Sequence, residues 1–488
     1  MRSKSRMISP FVAAIAIVAL WAAPSPAAIP PDAPAPKVKD STARAGGFHT
    51  PTAGASLQAP DSTIRMGFCG GDDWEPEINA DAFGHVYVTW PHFVGDPTCD
   101  PASANPRDVY IQISSDGGQT FGPPQIAVDV PYPSVVDTVI TTNELGHVFI
   151  SFLGYGHVNR EIDIIVARST DFGQTFTWAK ANGPECVVCD HPWIVASGRN
   201  VYVTYASGKN HYLSLSTDGG LTWTETNVLK AGGVAFPEGG VVDAAGNAWF
   251  AWGDCKGACS GKVGAVYRAS RTLAGTSITE FAEVAEGPAG PDCPYRGACG
   301  FAYFGPQNDI AIDAAGNLYM VWQDGQVHDK PKSPPIVQLS RCTAGTDCTE
   351  DENWLDVGRV DDKTSSGCAA SQCYALFPRV EGGAPGHISA IWMDDRLGVP
   401  IDHTNGWNVW YRSSDDAGTT WNGASTRVSE YDPSRSESFP NGYLFPYGDY
   451  QGIDLTPGAY VPVMAWGEGH NYNGGPTAPG HVIYGTLP

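Results

Sequence analysis

Basic residues are scarce in this chain: 29 Lys and Arg stand against 52 Asp and Glu, which gives a formal net charge of −23. Binding to nucleic acid depends on neutralising phosphates with clustered Lys and Arg, and the sequence has no basic cluster. The composition therefore excludes a nucleic-acid partner. It also disfavours a strongly anionic ligand, unless basic groups are gathered locally.

Long apolar runs are missing after the N-terminus, and apolar residues at helical spacing are nearly absent. A membrane-spanning helix needs about 18 consecutive apolar residues without charge. We therefore expect no transmembrane anchor. Short segments rich in β-branched and aromatic residues recur instead, which predicts an all-β protein.

The first 28 residues have the layout of a secretory signal peptide. Arg2, Lys4 and Arg6 precede an apolar stretch, and small residues follow at Ala27 and Ala28. Residues 29–60 are rich in Pro, Ala, Ser and Thr, so we expect a flexible leader there. These features predict an exported protein, extracellular or periplasmic, with one domain over residues 61–488.

The twelve cysteines fall as near neighbours along the chain. An even count, export and short spacings together predict six local disulfides. The predicted pairs are Cys69–Cys99, Cys186–Cys189, Cys255–Cys259, Cys293–Cys299, Cys342–Cys348 and Cys368–Cys373. The single C-x-x-C motif has no second copy to complete a zinc tetrad, so we predict no metal site there. We expect no required cofactor, and structural Ca²⁺ held by loop Asp residues stays open.

One sequence motif, which we call the repeated phrase, recurs seven times, from "DAFGHVYVTW" at Asp81–Trp90 to "LTPGAYVPVMAW" at Leu455–Trp466. In each copy a Gly-bearing turn leads into alternating β-branched and aromatic residues, which is typical of the second strand of a hairpin. A third strand follows, and four of these strands run into a Ser-Asp-Gly turn. Those turns read "SSDGGQTF", "STDFGQTF", "STDGGLTW" and "SSDDAGTTW".

The unit is therefore a four-stranded antiparallel meander, and its repetition predicts a β-propeller with seven blades, six being the alternative. A row of β-sandwich domains would need linkers between units, and none is visible after Pro60. The last unit stops after its third strand. We predict that Asp61–Phe68 pairs with His481–Leu487 and closes the ring, which leaves no open sheet edge.

The form S-x-D-x-G-x-T-[FW] resembles the Asp box, or bacterial neuraminidase repeat, of the sialidase superfamily, over essentially the whole mature chain. The resemblance implies a structural role for the Asp position, in which it places Asp116, Asp171, Asp218 and Asp415. It implies no single activity, because such boxes also occur in other glycosidases, lectins and sorting receptors.

A functional site is expected on the face opposite these turns, where the innermost strands begin. Alignment of the seven units gives three columns of residues there. The first column is Glu75, Asp137, His191, Pro237, Gln307, Phe377 and Asp449; the second is Pro76, Thr138, Pro192, Glu238, Asn308, Pro378 and Tyr450; the third is Glu77, Val139, Trp193, Gly239, Asp309, Arg379 and Gln451. Their variation favours a specialised mouth, and polar residues that merely line a wet channel are the alternative.

Glycoside cleavage needs one protonated carboxyl and one ionised carboxylate or other nucleophile. The catalytic candidates are Glu75, Asp137, Glu238, Asp309, Asp449 and Tyr450, and the substrate-binding candidates are His191, Trp193, Arg379, Asp395, Arg396 and Trp407. A sialidase would hold the sialic carboxylate with three arginines, the first in a Phe/Tyr-Arg-Ile-Pro motif. That motif is absent here, and only Arg379 and Arg396 are well placed for a clamp.

We therefore expect a monomeric propeller that acts on extracellular glycans, most simply as a sialidase-like glycoside hydrolase. A carbohydrate- or protein-binding propeller, lectin-like or adhesion-like, is the first alternative. A uronate-specific polysaccharide lyase, with His191 as base and Arg379 neutralising the uronate, is the second.

Overall fold

A computed structural model describes residues 62–66, 72–73, 75–93, 107–156, 162–184, 186, 189–230, 235–255, 264–288, 306–325, 334–363, 368, 373–398, 407–429, 450–468 and 481–487. All of them belong to one compact unit, Ser41–Pro488. The predicted signal peptide and leader lie outside the described residues. No helix among the described residues is long and apolar enough to cross a membrane.

The described chain forms 29 strands and one short 3-10 turn, Asp351–Asn353. The strands make seven antiparallel sheets, the blades of a propeller. Blade one contains β2 Asp72–Asp73, β3 Glu77–Ala80, β4 Val86–Phe93, β5 Arg107–Ser114 and β6 Gln125–Ile126. Blade two contains β7 Ser134–Thr142, β8 Val148–Tyr155, β9 Ile162–Ser169 and β10 Thr177–Lys180. Blade three contains β11 Cys189–Ser197, β12 Asn200–Ser207, β13 Asn210–Ser216 and β14 Thr224–Lys230.

The remaining blades repeat the same order. Blade four contains β15 Ala235–Val242, β16 Ala248–Cys255, β17 Gly264–Thr272 and β18 Ile278–Pro288. Blade five contains β19 Asn308–Ile312, β20 Leu318–Asp324, β21 Ile336–Cys342 and β22 Trp354–Arg359. Blade six contains β23 Ala375–Gly382, β24 Ile388–Asp394, β25 Asn408–Ser414 and β26 Thr426–Arg427. Blade seven contains β27 Gly452–Leu455, β28 Pro462–Glu468, β29 His481–Thr486 and, from the start of the chain, β1 Ser62–Arg65.

The predicted closure of the ring is confirmed. Strand β1 pairs antiparallel with β29, Ser62 opposite Thr486 and Arg65 opposite Ile483. Met66 follows β1 and is fully buried in the cluster between blades seven and one. The innermost strands β3, β7, β11, β15, β19, β23 and β27 each contact the next, and β27 contacts β3. Seven blades therefore surround one axis.

In four of the seven repeated phrases the first residue, Asp81, Asn143, Asp243 or Asp313, organises the Gly turn. Oδ1 of Asp243 accepts hydrogen bonds from the amides of Ala245 and Asn247, at 2.9 and 3.0 Å. Gly246 adopts a φ of +81°, which costs a glycine little. In these copies the phrase is thus a turn that its own Asp or Asn holds closed.

The Ser-Asp-Gly turns use a second recurring pattern. Asp116 Oδ1 accepts from the Ser114 hydroxyl at 2.7 Å and from the Thr120 amide at 2.8 Å, and Asp171 and Asp218 make the same pair of bonds. In the fourth turn this role belongs to Asp416, which accepts from Ser414 and Thr420. The assignment of Asp415 was therefore wrong by one residue. Asp415 bonds the side chains of His387 and Asn422 instead.

The core lies between neighbouring blades. The aromatic residue that ends each repeated phrase packs there, and Trp90, Trp252, Trp392 and Trp466 are almost completely buried. Three predicted disulfides are formed, Cys186–Cys189, Cys342–Cys348 and Cys368–Cys373. Cys255 is also disulfide-bonded. The other predicted partners, Cys69, Cys99, Cys259, Cys293 and Cys299, lie outside the described residues.

Candidate functional site

Bulges mark the starts of the innermost strands, where the first column of candidate residues lies. Glu75, Asp137, His191 and Phe377 all have left-handed backbone, with φ between 45 and 58°. Such a conformation is costly for residues with a side chain and tends to persist at functional positions. The strand register shifts at this point in blades two, three, four and six. A bulge re-aims the next side chains, so the third column points differently from a regular strand.

The third column is correct in six blades and displaced by one residue in the seventh. Glu77, Val139, Trp193, Gly239, Asp309 and Arg379 each pair with the residue that precedes the buried aromatic of the second strand. In blade seven that partner, Ala465, faces Gly452 rather than Gln451. A side chain at Gly452 would meet Glu77, as one at Gly239 would meet Asp309. These two glycines make room for the next carboxylate around the ring.

Arg379 of blade six connects several blades at the axis of the ring. Its Nε donates to the Gln451 carbonyl of blade seven at 2.9 Å. Its Nη1 donates to the Glu238 carbonyl of blade four at 2.9 Å and approaches the Asn308 carbonyl of blade five at 3.4 Å. The side chain is 4% exposed, so these main-chain acceptors satisfy a cation that burial would otherwise penalise.

The same guanidinium reaches two further blades. Its Nε lies 3.8 Å from Glu77 Oε1 of blade one, and its carbon lies 4.7 Å from the ring centre of Trp193 of blade three. The ring of Tyr450 is 5.8 Å away. These are cation–π distances. Arg379 therefore lies beside Glu77 and four of the predicted site residues, Trp193, Glu238, Asp309 and Tyr450. Tyr450 adds His191, and we call these seven residues the axial cluster.

Two carboxyls of the axial cluster have raised pKa values. Burial raises the pKa of Glu77 to about 8, although the nearby Arg379 acts in the opposite direction. Burial raises the pKa of Asp309 to about 6, against Arg379 and against two amides that donate to it, those of Ile310 and Val380. The cluster thus contains one carboxyl that stays protonated at neutral pH and one that is largely ionised.

A tyrosine and a histidine complete the axial cluster. The Tyr450 hydroxyl lies 2.7 Å from Nδ1 of His191, and the same nitrogen lies 3.9 Å from Glu238 Oε1. Glu238 Oε2 accepts from the Asn308 amide at 3.1 Å, which fixes the carboxylate between blades four and five. Blades three, four and seven thereby supply a connected Tyr–His–Glu arrangement.

Deeper along the axis lies a second pair of acidic residues, Glu381 of blade six and Asp454 of blade seven. Asp454 accepts from the Asn79 side chain at 2.9 Å and from the Ala80 amide at 2.7 Å, which joins blade seven to blade one. Burial raises the pKa of Asp454 to about 7. Burial and the neighbouring Asp454 raise the pKa of Glu381 well above its ordinary value.

No family model and no curated protein matches the chain. Solved structures of similar shape include sialidases and other glycoside-acting propellers. A protein of unknown function from Dyadobacter fermentans is 11% identical, with a TM-score of 0.44 over 87% of this chain and 98% of that one. The α-L-arabinanase of Penicillium chrysogenum is 11% identical, with a TM-score of 0.41 over the same shares. The endosialidase of phage phi92 is 7% identical, with a TM-score of 0.48 over 87% and 68%. We infer nothing about activity from likenesses this distant.

Three predicted binding residues lie apart from the axial cluster in their contacts. Arg396 is 7% exposed, and its guanidinium bonds Asp394 through two nitrogens and Asp362 through a third at 2.9 Å. Asp395 is fully buried and accepts from the Tyr374 amide at 2.7 Å. Trp407 is 1% exposed and packs in the core between blades six and seven. Trp407 therefore does not form an exposed stacking platform.

The other catalytic candidates are placed as follows. Glu75 is 3% exposed at the start of blade one, and Asp137 is half-buried at the start of blade two. Asp449 lies outside the described residues. Glu77 was not among the candidates, although it stood in the third column. The signal that could have found it is that this column holds a single arginine, which must attract the acidic residues of the same layer.

The described residues contain no group of three His, Cys, Asp or Glu side chains that could hold a metal ion. The described residues therefore give no support to the structural Ca²⁺ site that the sequence left open.

Proposed function

We propose that this protein is a glycoside hydrolase that acts on extracellular glycans at the axial cluster. The observation that supports this most directly is that Glu77 and Asp309, two buried carboxyls beside Arg379, have different pKa values. Glycoside cleavage requires a proton donor at working pH and an ionised group nearby. A carboxyl with a pKa near 8 meets the first requirement, and one with a pKa near 6 meets the second.

In this proposal Glu77 is the general acid, and its proton goes to the glycosidic oxygen as the bond to the anomeric carbon breaks. Tyr450 is the nucleophile: its oxygen forms a bond to that carbon, and its proton passes to Nδ1 of His191. Glu238 stabilises the imidazolium that results. Water then hydrolyses the tyrosyl intermediate, Glu77 taking a proton from the water and His191 returning one to the phenol oxygen. Asp309 and Arg379 set the electrostatic environment.

The alternatives receive less support. A lyase needs a free cation to neutralise the uronate, whereas Arg379 donates to main-chain carbonyls of three blades. A lectin needs aromatic rings free for stacking, whereas Trp407 packs in the core between blades six and seven and Trp193 stacks against Arg379. A binding role would still be consistent with the many acceptor oxygens of the axial cluster.

The test is a panel of chromogenic glycosides combined with a glycan array, using the mature secreted chain. Release of the aglycone with turnover, abolished in Glu77→Gln and Tyr450→Phe, supports a hydrolase. Capture of glycans without release of any aglycone would replace the proposal with a binding function. An unsaturated product with new ultraviolet absorbance would replace it with a lyase.

A further inference from the structure

The axial cluster has a built-in preference about the charge of its ligand. We infer that it selects sugars without a carboxylate, and that the two arginines predicted to clamp an acidic sugar hold the propeller together instead. The inference rests on the proposed function for the place of binding, but it concerns selection and applies whether or not the sugar is cleaved.

The first argument is that Arg379 is already engaged. A carboxylate clamp presents at least two adjacent N–H groups of one guanidinium to the ligand. Here Nε and Nη1 both donate to main-chain carbonyls, and the ring of Trp193 covers one face of the group. A ligand carboxylate would have to displace bonds that tie blades four, five and seven to blade six. It would also compete with Glu77, 3.8 Å from Nε.

The second argument is that Arg396 is engaged in the same way. Its Nε and Nη2 donate to both oxygens of Asp394, and its Nη1 donates to Asp362 and Ser425. The guanidinium also stacks over Trp410. These contacts connect the end of blade five with blade six, so breaking them would uncover a buried ion pair. Arg396 therefore offers no clamp, and Arg379 keeps only Nη2 outside its main-chain bonds.

The third argument concerns what the axial cluster offers instead. Glu77, Glu238 and Asp309 are each at least nine-tenths buried around Arg379, and His191 lies 3.9 Å from the Glu238 carboxylate. Three oxygen atoms near Arg379 are buried and accept no hydrogen bond within that part: Glu77 Oε1, Asn308 Oδ1 and Gln451 Oε1. Oxygens in this state are satisfied by hydrogen-bond donors such as hydroxyls, and a further carboxylate would add an acceptor and a charge like that of the ionised Asp309.

The inference is tested with matched sugars that differ only in one group, a β-glucoside and its β-glucuronide, and a β-galactoside and its β-galacturonide. Binding of each pair to the mature protein is measured by calorimetry, and turnover is measured with the corresponding chromogenic glycosides. We expect the neutral member to bind at least about 100-fold more tightly, since like-charge contact costs several kcal/mol. A sialoside should behave like the uronides.

Two variants separate selection from folding. Asp309→Asn removes one negative charge, so the disadvantage of the acidic sugars should shrink by about tenfold in binding. Its NH2 group faces one of the two amides that donate to Asp309, so the melting temperature of this variant is measured alongside. Arg396→Gln should lower the melting temperature without changing the ratio between neutral and acidic sugars. As a matched control, Glu144→Gln changes an exposed carboxylate on the opposite face and should change neither quantity.

Equal or tighter binding of the uronides or the sialoside would overturn the inference, as would a selective loss of acidic-sugar binding in Arg396→Gln. Selective binding of neutral sugars without turnover would refute the hydrolase and leave the inference standing. Turnover of acidic glycosides would do the reverse.

Discussion

Tyr450 and His191 are 259 positions apart in the sequence, yet the hydroxyl of one lies 2.7 Å from the ring nitrogen of the other. Tyr450 precedes the innermost strand of the last blade, and His191 lies in the innermost strand of the third. Only closure of the ring brings them together. Arg379 lies 5.8 Å from the centre of the Tyr450 ring, so the ring and its hydroxyl contact two different members of the axial cluster. The bond between Tyr450 and His191 can be tested by a single substitution that removes only the hydroxyl.

Replacing Tyr450 with Phe removes the proposed nucleophile and keeps the ring that packs beside Trp193. We expect kcat to fall by at least about 100-fold with little change in melting temperature, because proton transfer and nucleophilic attack both need the hydroxyl. The control is Tyr205→Phe, which removes a buried hydroxyl bonded to Glu225 in the outer part of blade three. If both variants keep full turnover, the tyrosine has no catalytic role.

Glu77 sets the alkaline limit of activity in the proposed mechanism. A general acid works only while protonated, and burial raises the pKa of Glu77 to about 8. We therefore expect kcat/KM of the wild-type protein to fall as the pH rises through about 8. Glu77→Gln should lose most turnover and should also lose this alkaline limb. A wild-type profile that stays flat up to pH 9.5 would contradict the assignment.

The architecture was predictable from the sequence because the motif that specifies one blade is repeated along the chain. Seven copies of one phrase determine the blade count, and the incomplete last unit indicates closure by the N-terminal strand. The third column was predicted correctly for Glu77 through Arg379. It failed in blade seven because the turn there is one residue longer: the Thr456 amide bonds the Val461 carbonyl, whereas the Asp81 amide bonds that of His85.

The site was less predictable than the fold. Some of its candidate side chains bond neighbours within one blade, and others bond residues across the axis. Arg379 and Arg396 look equivalent in sequence, each following a short apolar stretch, although Arg379 lies within β23 and Arg396 follows β24. Arg396 bonds Asp394, two residues away, whereas Arg379 bonds carbonyls 72 and 141 positions away. A column alignment shows which residues share a layer. It does not show which of them a long side chain will reach.

The last Ser-Asp-Gly turn provides a matched pair of substitutions on neighbouring residues. Asp416→Asn should lower the melting temperature, because Asp416 accepts from the Ser414 hydroxyl, the Thr420 amide and the Thr420 hydroxyl. Asp415→Asn should change it less, since Asp415 accepts only from the side chains of His387 and Asn422. Thermal unfolding of the two variants compares them directly. The reverse order would restore the original assignment of Asp415.

Closure of the ring by β1 can be tested by truncation. A chain that begins at residue 68 lacks β1 and Met66, so β29 is left with an unpaired edge. We expect a lower melting temperature and concentration-dependent association, compared with a chain that begins at residue 61. Met66 is fully buried, and Met66→Ala in the longer chain should cost about 2 to 5 kcal/mol of unfolding free energy. Equal stability of the two chains would show that β1 is dispensable.

Stability should depend on pH in opposite ways at the Ser-Asp-Gly turns and along the axis. Hydrogen bonds from Ser114 and Thr120 lower the pKa of Asp116 to about 2, so its contribution is lost as the pH falls from about 4 towards 2. Burial raises the pKa of Asp454 from 3.8 to about 7. The folded protein therefore binds a proton that the unfolded chain releases, and this contribution, complete below about pH 4, is lost as the pH rises through 7.

The raised pKa of Asp454 thus predicts a melting temperature that decreases between pH 5 and pH 8, the range in which many proteins are most stable. Glu77, whose pKa is raised to about 8, acts in the same direction. Asp454→Asn keeps an oxygen that can accept from the Ala80 amide and removes the ionisation, so it should flatten the decrease. Melting curves of the two proteins at several pH values decide the matter. A wild-type melting temperature that rises between pH 5 and pH 8 would show that these carboxyls are ionised in the folded ring, and with that the proposed acid role of Glu77 would lose its physical basis.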